Sequence, residues 1–216
     1  MTIDVFSDIV CPWCYVGEAR LRRALAERPD LDVDVRWRPF QLQPGMPPGG
    51  MPWADLVERK FGGFARAEPM FEHLERVGAA DGVTFRFEQI ASAPNTVDAH
   101  RLVLWAQGQG RAWPLANALF AAYFEHGADL NRETDLLAAV RAAGLDADAA
   151  RAMLATDQHR AEVEASQAEA EETGVTGVPF YVVADRYGIS GAQPPEVFAQ
   201  ALALVESEAA GAARDA

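Results

Sequence analysis

The stretch Ser7-Asp8-Ile9-Val10-Cys11-Pro12-Trp13-Cys14-Tyr15 holds both cysteines of the chain in a Cys-x-x-Cys spacing. The segment before it, Ile3-Asp4-Val5-Phe6, alternates between apolar and polar residues and predicts a short strand. The segment after it, Tyr15 to Arg28, has helical spacing and is followed by Pro29. The two cysteines are therefore expected where a strand leads into the N-terminus of a helix.

This position favours thiol chemistry at Cys11. The N-terminus of a helix has unpaired backbone N–H groups and a partial positive charge, and both stabilise a thiolate. A stabilised thiolate attacks disulfides and also leaves from them readily. We predict that Cys11 is the nucleophile of a thiol–disulfide exchange and that Cys14 resolves the mixed disulfide. Asp8 works against this, because a nearby carboxylate disfavours a second negative charge.

Two other uses of a cysteine pair are less favoured. Structural zinc usually takes four protein ligands, but the chain has no second cysteine pair and its four histidines are scattered. A structural disulfide between Cys11 and Cys14 would close a very short loop, where the entropic gain is small. We therefore expect no metal and no cofactor beyond the redox-active cysteine pair.

Composition limits the class of protein. The 216 residues are 50% hydrophobic, which is enough for a sizeable core, and the net charge is −13 with a pI of about 4.7. An acidic chain argues against nucleic-acid binding and against attraction to anionic membranes. The sequence shows no secretory signal and no apolar run long enough to span a bilayer, so we expect a cytoplasmic protein. In a reducing compartment such a cysteine pair is more often catalytic than structural.

The order of predicted elements indicates an α/β fold with a helical insertion. Residues 33–40 alternate as a second strand, so the chain begins β-α-β. Beyond the Pro- and Gly-rich loop at 44–50, the pattern is almost entirely helical up to Thr173. The helices expected there are Pro52 to Phe61, Pro69 to Ala80, one capped by Asn95, one with Pro114 in its first turn, Glu133 to Ala143, one capped by Asp146, and Asp157 to Thr173, with a brief extended piece at 83–87.

Strand signal returns near the C-terminus. Phe180–Val183 and Tyr187–Ser190 predict an antiparallel hairpin, and Pro194-Pro195 opens a final helix that is expected to fray from about Ser207. The sheet elements at both chain ends predict one discontinuous sheet domain, residues 1–43 and 174–216, interrupted by a helical domain of residues 44–173.

A second motif precedes the returning strand, Thr176-Gly177-Val178-Pro179-Phe180. Together with Cys11-Pro12-Trp13-Cys14 and the helical block, it resembles the DsbA family of the thioredoxin fold. The FrnE-like branch is the closer match, on Ser7 to Gly17, Asn95-Thr96, Ala99-His100-Arg101-Leu102, Leu119-Phe120, Ala122-Tyr123-Phe124 and Ser190-Gly191-Ala192-Gln193-Pro194.

The resemblance implies a thioredoxin-like domain made from the two chain ends. It also implies that the Val178–Pro179 peptide bond is cis and packs beside the cysteine pair. A bound peptide could then pair with the backbone of Val178 like an added strand, and Pro179 would hold a mixed-disulfide substrate over Cys11.

Each of the other candidates for substrate contact has two possible roles. His100 shares a helical face with apolar residues, so a hydrogen-bonded core histidine is favoured over a proton shuttle. Trp13, beside Pro12, either faces the substrate or covers the cysteine pair. Four aromatic residues either line a groove facing the motif or belong to the helical core, namely Trp53, Phe61, Phe64 and Phe71.

Three functions fit these observations. The first is disulfide exchange with a disulfide-containing protein or a small thiol, with the direction open and glutathione as one candidate co-substrate. The second is glutathione-dependent isomerase or transferase chemistry on an aromatic or polyketide-like molecule. The related 2-hydroxychromene-2-carboxylate isomerases and kappa-class glutathione transferases have a serine where Cys11 stands, and an acid that Ser190-Gly191-Ala192 lacks. The third is a binding or chaperone-like module in which the cysteines are dispensable.

Overall fold

The structure, a computed structural model, describes residues 1–212. The strands are β1 (Thr2–Ser7), β2 (Asp34–Pro39), β3 (Met51–Pro52), β4 (Ser92–Ala93), β5 (Phe180–Val183) and β6 (Tyr187–Ser190). The helices are α1 (Pro12–Ala26), α2 (Trp53–Phe61), α3 (Phe64–Ala80), α4 (Val97–Gln107), α5 (Ala112–Phe124), α6 (Glu133–Ala142), α7 (Ala147–Leu154), α8 (Arg160–Glu172) and α9 (Pro195–Ala212). The α/β class predicted from the sequence is confirmed.

The main sheet joins the two ends of the chain. Its strand order is β2-β1-β5-β6, in which β1 is parallel to β2 and antiparallel to β5, and β5 and β6 form the predicted hairpin. Phe6 of β1 lies opposite Phe180 of β5. Because β5 begins directly after Pro179, this register brings the Gly-Val-Pro segment to the end of β1 that leads into the cysteine motif. The domain boundaries at 43/44 and 173/174 stay a prediction.

Several helix bounds differ from the predicted ones. Helix α1 begins at Pro12 rather than Tyr15, since proline fits the first turn of a helix. Helix α3 begins at Phe64 and contains Pro69 in its second turn, after Gly63 at a φ of 103°. Helix α8 begins at Arg160, after His159 in the left-handed region. Helix α9 continues to Ala212, the fraying expected from Ser207 stays a prediction, and its last part lies outside the described residues.

The middle of the chain contains a short ladder that the sequence did not reveal. Strands β3 and β4 pair antiparallel over two residues each. Conversely, the extended piece expected at 83–87 is not a strand. Val83, Phe85 and Phe87 alternate because their side chains are buried in the core, while the N–H of Arg86 donates to the carbonyl of Phe124 at the end of α5.

A large apolar core connects the cysteine motif to the helices. Tyr15 on α1 stacks on Phe120 of α5 with ring centroids 5.0 Å apart, and its hydroxyl donates to Glu125 at 2.7 Å. Stacked aromatic pairs of this kind add to the stability gained from burial. The N-terminus of α1 is therefore held against the helical block as well as against the sheet. Within the part of the chain that the structure describes, no helix has both the length and the apolarity needed to cross a membrane.

Candidate active site

The cysteine motif occupies the N-terminus of α1. Cys11 is the N-cap residue, with an extended backbone, and Pro12 takes the first helical position. The backbone N–H of Cys14 donates to the carbonyl of Cys11 at 3.0 Å. Cys11 therefore lies at the end of the helix where N–H groups and positive charge are available to a thiolate.

The Gly-Val-Pro segment lies directly against this motif. The Val178–Pro179 peptide bond is cis, and the thiol of Cys11 donates to the carbonyl oxygen of Val178 at 3.5 Å. Pro179 is buried, and its Cγ lies 3.1 Å from the place that a Cβ on Gly17 would occupy. The structure thus brings Cys11, Val178 and Pro179 together across 167 residues of sequence.

The two cysteines differ in their surroundings. Both are reduced and buried, Cys11 at 4% exposure and Cys14 at 1%, but Cys11 lines a cavity of mostly apolar residues, whereas Cys14 does not line it. Burial raises the pKa of the Cys14 thiol well above its usual value, and its contact with Cys11 raises it further, while the Ser7 hydroxyl opposes this. Cys11 can therefore contact a molecule in the cavity, whereas Cys14 can reach such a molecule only through Cys11.

A buried glutamate shares a small internal cavity with Cys14. Glu18 is 5% exposed and one helical turn beyond Cys14, and both residues line a cavity of about 10 Å³ together with Ser7 and Trp37. Burial raises the pKa of Glu18 to about 7, although Arg22 partly opposes this. The sequence analysis did not identify Glu18. The four-residue spacing from Cys14 was the available signal, because it places both residues on one face of the helix.

The acid of the motif belongs to a buried polar cluster. Asp8 is 1% exposed, and its Oδ2 accepts a hydrogen bond from the N–H of Leu42 at 2.8 Å. Its Oδ1 lies 3.3 Å from Nε2 of His100, outside hydrogen-bond geometry. The indole N–H of Trp37 donates to Nδ1 of His100 at 3.2 Å. Because an indole nitrogen can only donate, neutral His100 carries its hydrogen on Nε2, facing Asp8.

The substrate contact predicted for His100 is not supported. His100 is fully buried and does not line the cavity at Cys11, since the side chains of Trp37 and Asp8 enclose it. The alternative weighed from the sequence, a hydrogen-bonded core histidine, is what the structure shows. Asp8, whose Oδ1 lies 3.3 Å from Nε2 of His100, does line the cavity.

The cavity at Cys11 has a volume of about 270 Å³ and a mostly apolar lining. Most of the residues proposed for substrate contact line it, namely Cys11, Pro12, Trp13, Val178, Trp53, Phe61 and Phe71. Phe64 does not; its side chain is 50% exposed. Trp13 is half-buried and packs beside the ring of His73, with centroids 5.9 Å apart, so it faces the cavity and also covers the motif.

Comparison with known proteins identifies the family of this chain. A sequence model of the family described as DSBA-like thioredoxin domain matches residues 2–203. The chain belongs to this family. The probable DsbA oxidoreductase SCO1869 from Streptomyces coelicolor, known from a crystal structure, has a sequence 38% identical to this one. The alignment covers 96% of this DSBA-like chain and 91% of that one, with a TM-score of 0.87.

Two less similar structures share the fold. The cytosolic disulfide reductase DsbM from Pseudomonas aeruginosa, determined with GSH, is 22% identical, with a TM-score of 0.63 over 96% of this DSBA-like chain and 98% of that chain. A 2-hydroxychromene-2-carboxylate isomerase, in selenomethionine form, is 17% identical, with a TM-score of 0.66 over 100% and 97% of the two chains. At these identities the similarity establishes the thioredoxin-like fold with its helical insertion.

Proposed function

We propose that this protein is a thiol–disulfide oxidoreductase in which Cys11 attacks and Cys14 resolves. The observation that carries the proposal is the asymmetry of the pair. Cys11 lies at a helix N-terminus, beside the carbonyl of Val178, and lines a cavity, whereas Cys14 is 1% exposed and does not line that cavity. Two equivalent structural thiols would not need this division.

The reaction then proceeds in two exchanges. The Cys11 thiolate attacks one sulfur of a substrate disulfide, the substrate S–S bond breaks, and one substrate thiolate leaves with the electron pair. Cys14 then loses its proton and attacks the sulfur of Cys11, which releases the second substrate thiol and leaves a Cys11–Cys14 disulfide. Two electrons pass from the protein to the substrate, and two molecules of an external thiol such as glutathione return them and become a disulfide themselves. Glu18, which lines the same small cavity as Cys14 and has a pKa of about 7, would receive the Cys14 proton.

Pro12, Trp13 and Val178 would contact the substrate in this reaction, and Pro179 would hold Val178 in place. Two observations support glutathione as the returning thiol: the presence of GSH in the DsbM structure and the shared fold. The proposal locates the protein in the cytoplasm, where glutathione keeps such pairs reduced and favours reductase or isomerase work.

The test is insulin reduction by the parent, Cys11→Ser and Cys14→Ala proteins with glutathione as the electron source. We expect turnover by the parent and none by Cys11→Ser. The Cys14→Ala protein should accumulate a mixed disulfide on Cys11, visible as an added mass that dithiothreitol removes. If the parent, Cys11→Ser and Cys14→Ala proteins all reduce insulin at the same rate, the cysteines are dispensable and a binding module remains as the function.

Calorimetry with reduced glutathione distinguishes glutathione-dependent isomerase chemistry from disulfide exchange. In that class the thiol is held without a covalent bond, so the Cys11→Ser variant should bind reduced glutathione tightly. Weak or absent binding by Cys11→Ser, together with insulin reduction by the parent, supports disulfide exchange.

A further inference from the structure

The cavity at Cys11 has a chemical character that indicates its substrate class. Its lining includes residues that are almost completely buried, so the cavity extends into the core and not only along the surface. Those deepest residues are Leu74 at 1% exposure, Ala93 at 2%, Tyr123 and Phe124 at 1%, and Phe87 at 5%. A volume of about 270 Å³ suits a small molecule with an apolar body.

One basic side chain also lines the cavity, that of the exposed residue Lys60. Lys60 is the only lysine in the 216-residue sequence, and among the described residues it is the only basic side chain that lines the cavity. Its Nζ lies 5.7 Å from the ring centroid of Phe61, which also lines the cavity. No carboxylate of the described residues lies within ion-pair distance of Lys60, which leaves the ammonium available to a ligand.

The position of Lys60 follows from helix spacing. Trp53, Leu56 and Lys60 are three and four residues apart on α2, so they share the face that lines the cavity. Arg59, the adjacent cation, does not line the cavity. Since the protein has a net charge of −13, an anionic ligand is repelled by most of its surface, and Lys60 gives it a local attractive site.

We propose that the cavity takes a small aromatic disulfide or thiol that carries an anionic group, with its sulfur at Cys11 and its anion at Lys60. The inference rests on the disulfide exchange proposed above and adds the substrate class. Asp8, which also lines the cavity next to the cysteine motif, fixes the orientation, because its carboxylate disfavours an anion at the Cys11 end.

The test compares two aromatic disulfides of similar size in single-turnover reactions with reduced protein. The first, 5,5′-dithiobis(2-nitrobenzoate), carries a carboxylate on each ring, and the second, 2,2′-dithiodipyridine, is neutral at pH 7.5. Relative to the parent, we expect the Lys60→Gln protein to react about fivefold more slowly with the anionic disulfide, which is the upper range for an exposed ion pair. Its rate with the neutral disulfide should be unchanged. Added salt should reduce the difference in rate between the parent and the Lys60→Gln protein with the anionic disulfide.

Arg59→Gln is the matched control, since it removes the same charge from the same helix but outside the cavity. It should leave both rates unchanged. An equal loss in Lys60→Gln and Arg59→Gln would show a general charge effect and overturn the inference, as would no loss in either. Failure of the parent to react with either disulfide would instead overturn the proposed exchange.

Occupancy can be measured without thiol chemistry, which separates the two proposals. In the Cys11→Ser protein, Lys60 is the only side-chain amine that trinitrobenzenesulfonate can label. We expect 4-nitrobenzoate to slow labelling of Lys60, as followed by peptide mass spectrometry, and neutral nitrobenzene to slow it much less. Equal rates with and without 4-nitrobenzoate would exclude an anion at Lys60 even if disulfide exchange is confirmed.

Discussion

The Cys11 sulfur lies 3.5 Å from the carbonyl oxygen of Val178, a residue 167 positions further along the chain. This contact joins the N-terminus of α1 to the segment that enters β5. It places the Cys11 sulfur at a helix end, beside the backbone of Val178 and at the cavity that both residues line. Each of the following predictions addresses one part of this arrangement.

The two thiols should differ in reactivity. Cys14 is 1% exposed and its pKa is raised by burial, whereas Cys11 lines the cavity. Iodoacetamide at pH 7.5 is therefore expected to modify one thiol of the native reduced protein, on Cys11, and both thiols after unfolding. Peptide mass spectrometry gives the positions. Labelling of Cys14 in the folded protein at a comparable rate would contradict the division of roles.

Glu18 should make stability depend on pH. Burial raises its pKa from 4.5 to about 7, so between these values the unfolded chain has lost a proton that the folded protein retains. The contribution is fully present below about pH 4.5 and is lost as pH rises to about 7, by roughly 3 kcal/mol in total. Urea unfolding from pH 4.5 to 8 should show this slope in the parent and not in Glu18→Gln.

The matched control for that series is Glu27→Gln, which removes an exposed glutamate just after the same helix. It should keep the slope of the parent. If Glu18→Gln and Glu27→Gln unfold with the same pH dependence, Glu18 is ionised in the folded protein and cannot take the Cys14 proton near neutral pH.

Trp37 should fix the tautomer of His100. Its indole N–H donates to Nδ1, so nitrogen NMR of the parent is expected to show hydrogen on Nε2 only. Trp37→Phe leaves a buried acceptor without a partner, which costs about 1–3 kcal/mol, and should allow the other tautomer. An Nδ1–H signal in the parent would disprove the assignment.

Gly17 should admit no side chain. A Cβ there would lie 2.2 Å from the hydroxyl of Tyr181 and 3.1 Å from Cγ of Pro179. Gly17→Ala must therefore push β5 and the Pro179 segment away from α1, at a cost of about 1–3 kcal/mol, and should slow reactions at Cys11. Gly45→Ala is the control, because its Cβ would meet nothing within 4 Å. Equal unfolding midpoints for the two variants would contradict this packing.

Local patterns predicted much of the fold. The hairpin of β5 and β6 appears with the predicted bounds, because apolar runs separated by turn residues determine it locally. Asp146 caps α7 as predicted and accepts from the N–H groups of Asp148 and Ala149. The β3–β4 ladder was missed because two-residue strands are too short to show a period.

The candidate site was predicted less completely. Glutamates are almost always exposed, and therefore the four-residue spacing from Cys14 was a weak local signal for a buried acid at Glu18. The alternation at 83–87 correctly indicates side-chain burial, but a strand also needs a partner strand, and among the described residues this segment's backbone bonds to the ends of two helices instead. For His100 the helical spacing predicted burial. Its contacts with Trp37 and Asp8 could not be predicted in this way, because the three residues lie in separate segments of the chain.

The sequence by itself determined the strand–helix junction that carries Cys11 and Cys14, because strand alternation, Pro12 and the helix that follows are local features. Only the tertiary structure decided what surrounds the sulfurs: the carbonyl of Val178, the carboxyl of Glu18 and the cavity with Lys60. The physical reason is that burial and charge pairing depend on residues distant in sequence, and these meet only when the sheet and the helices have packed.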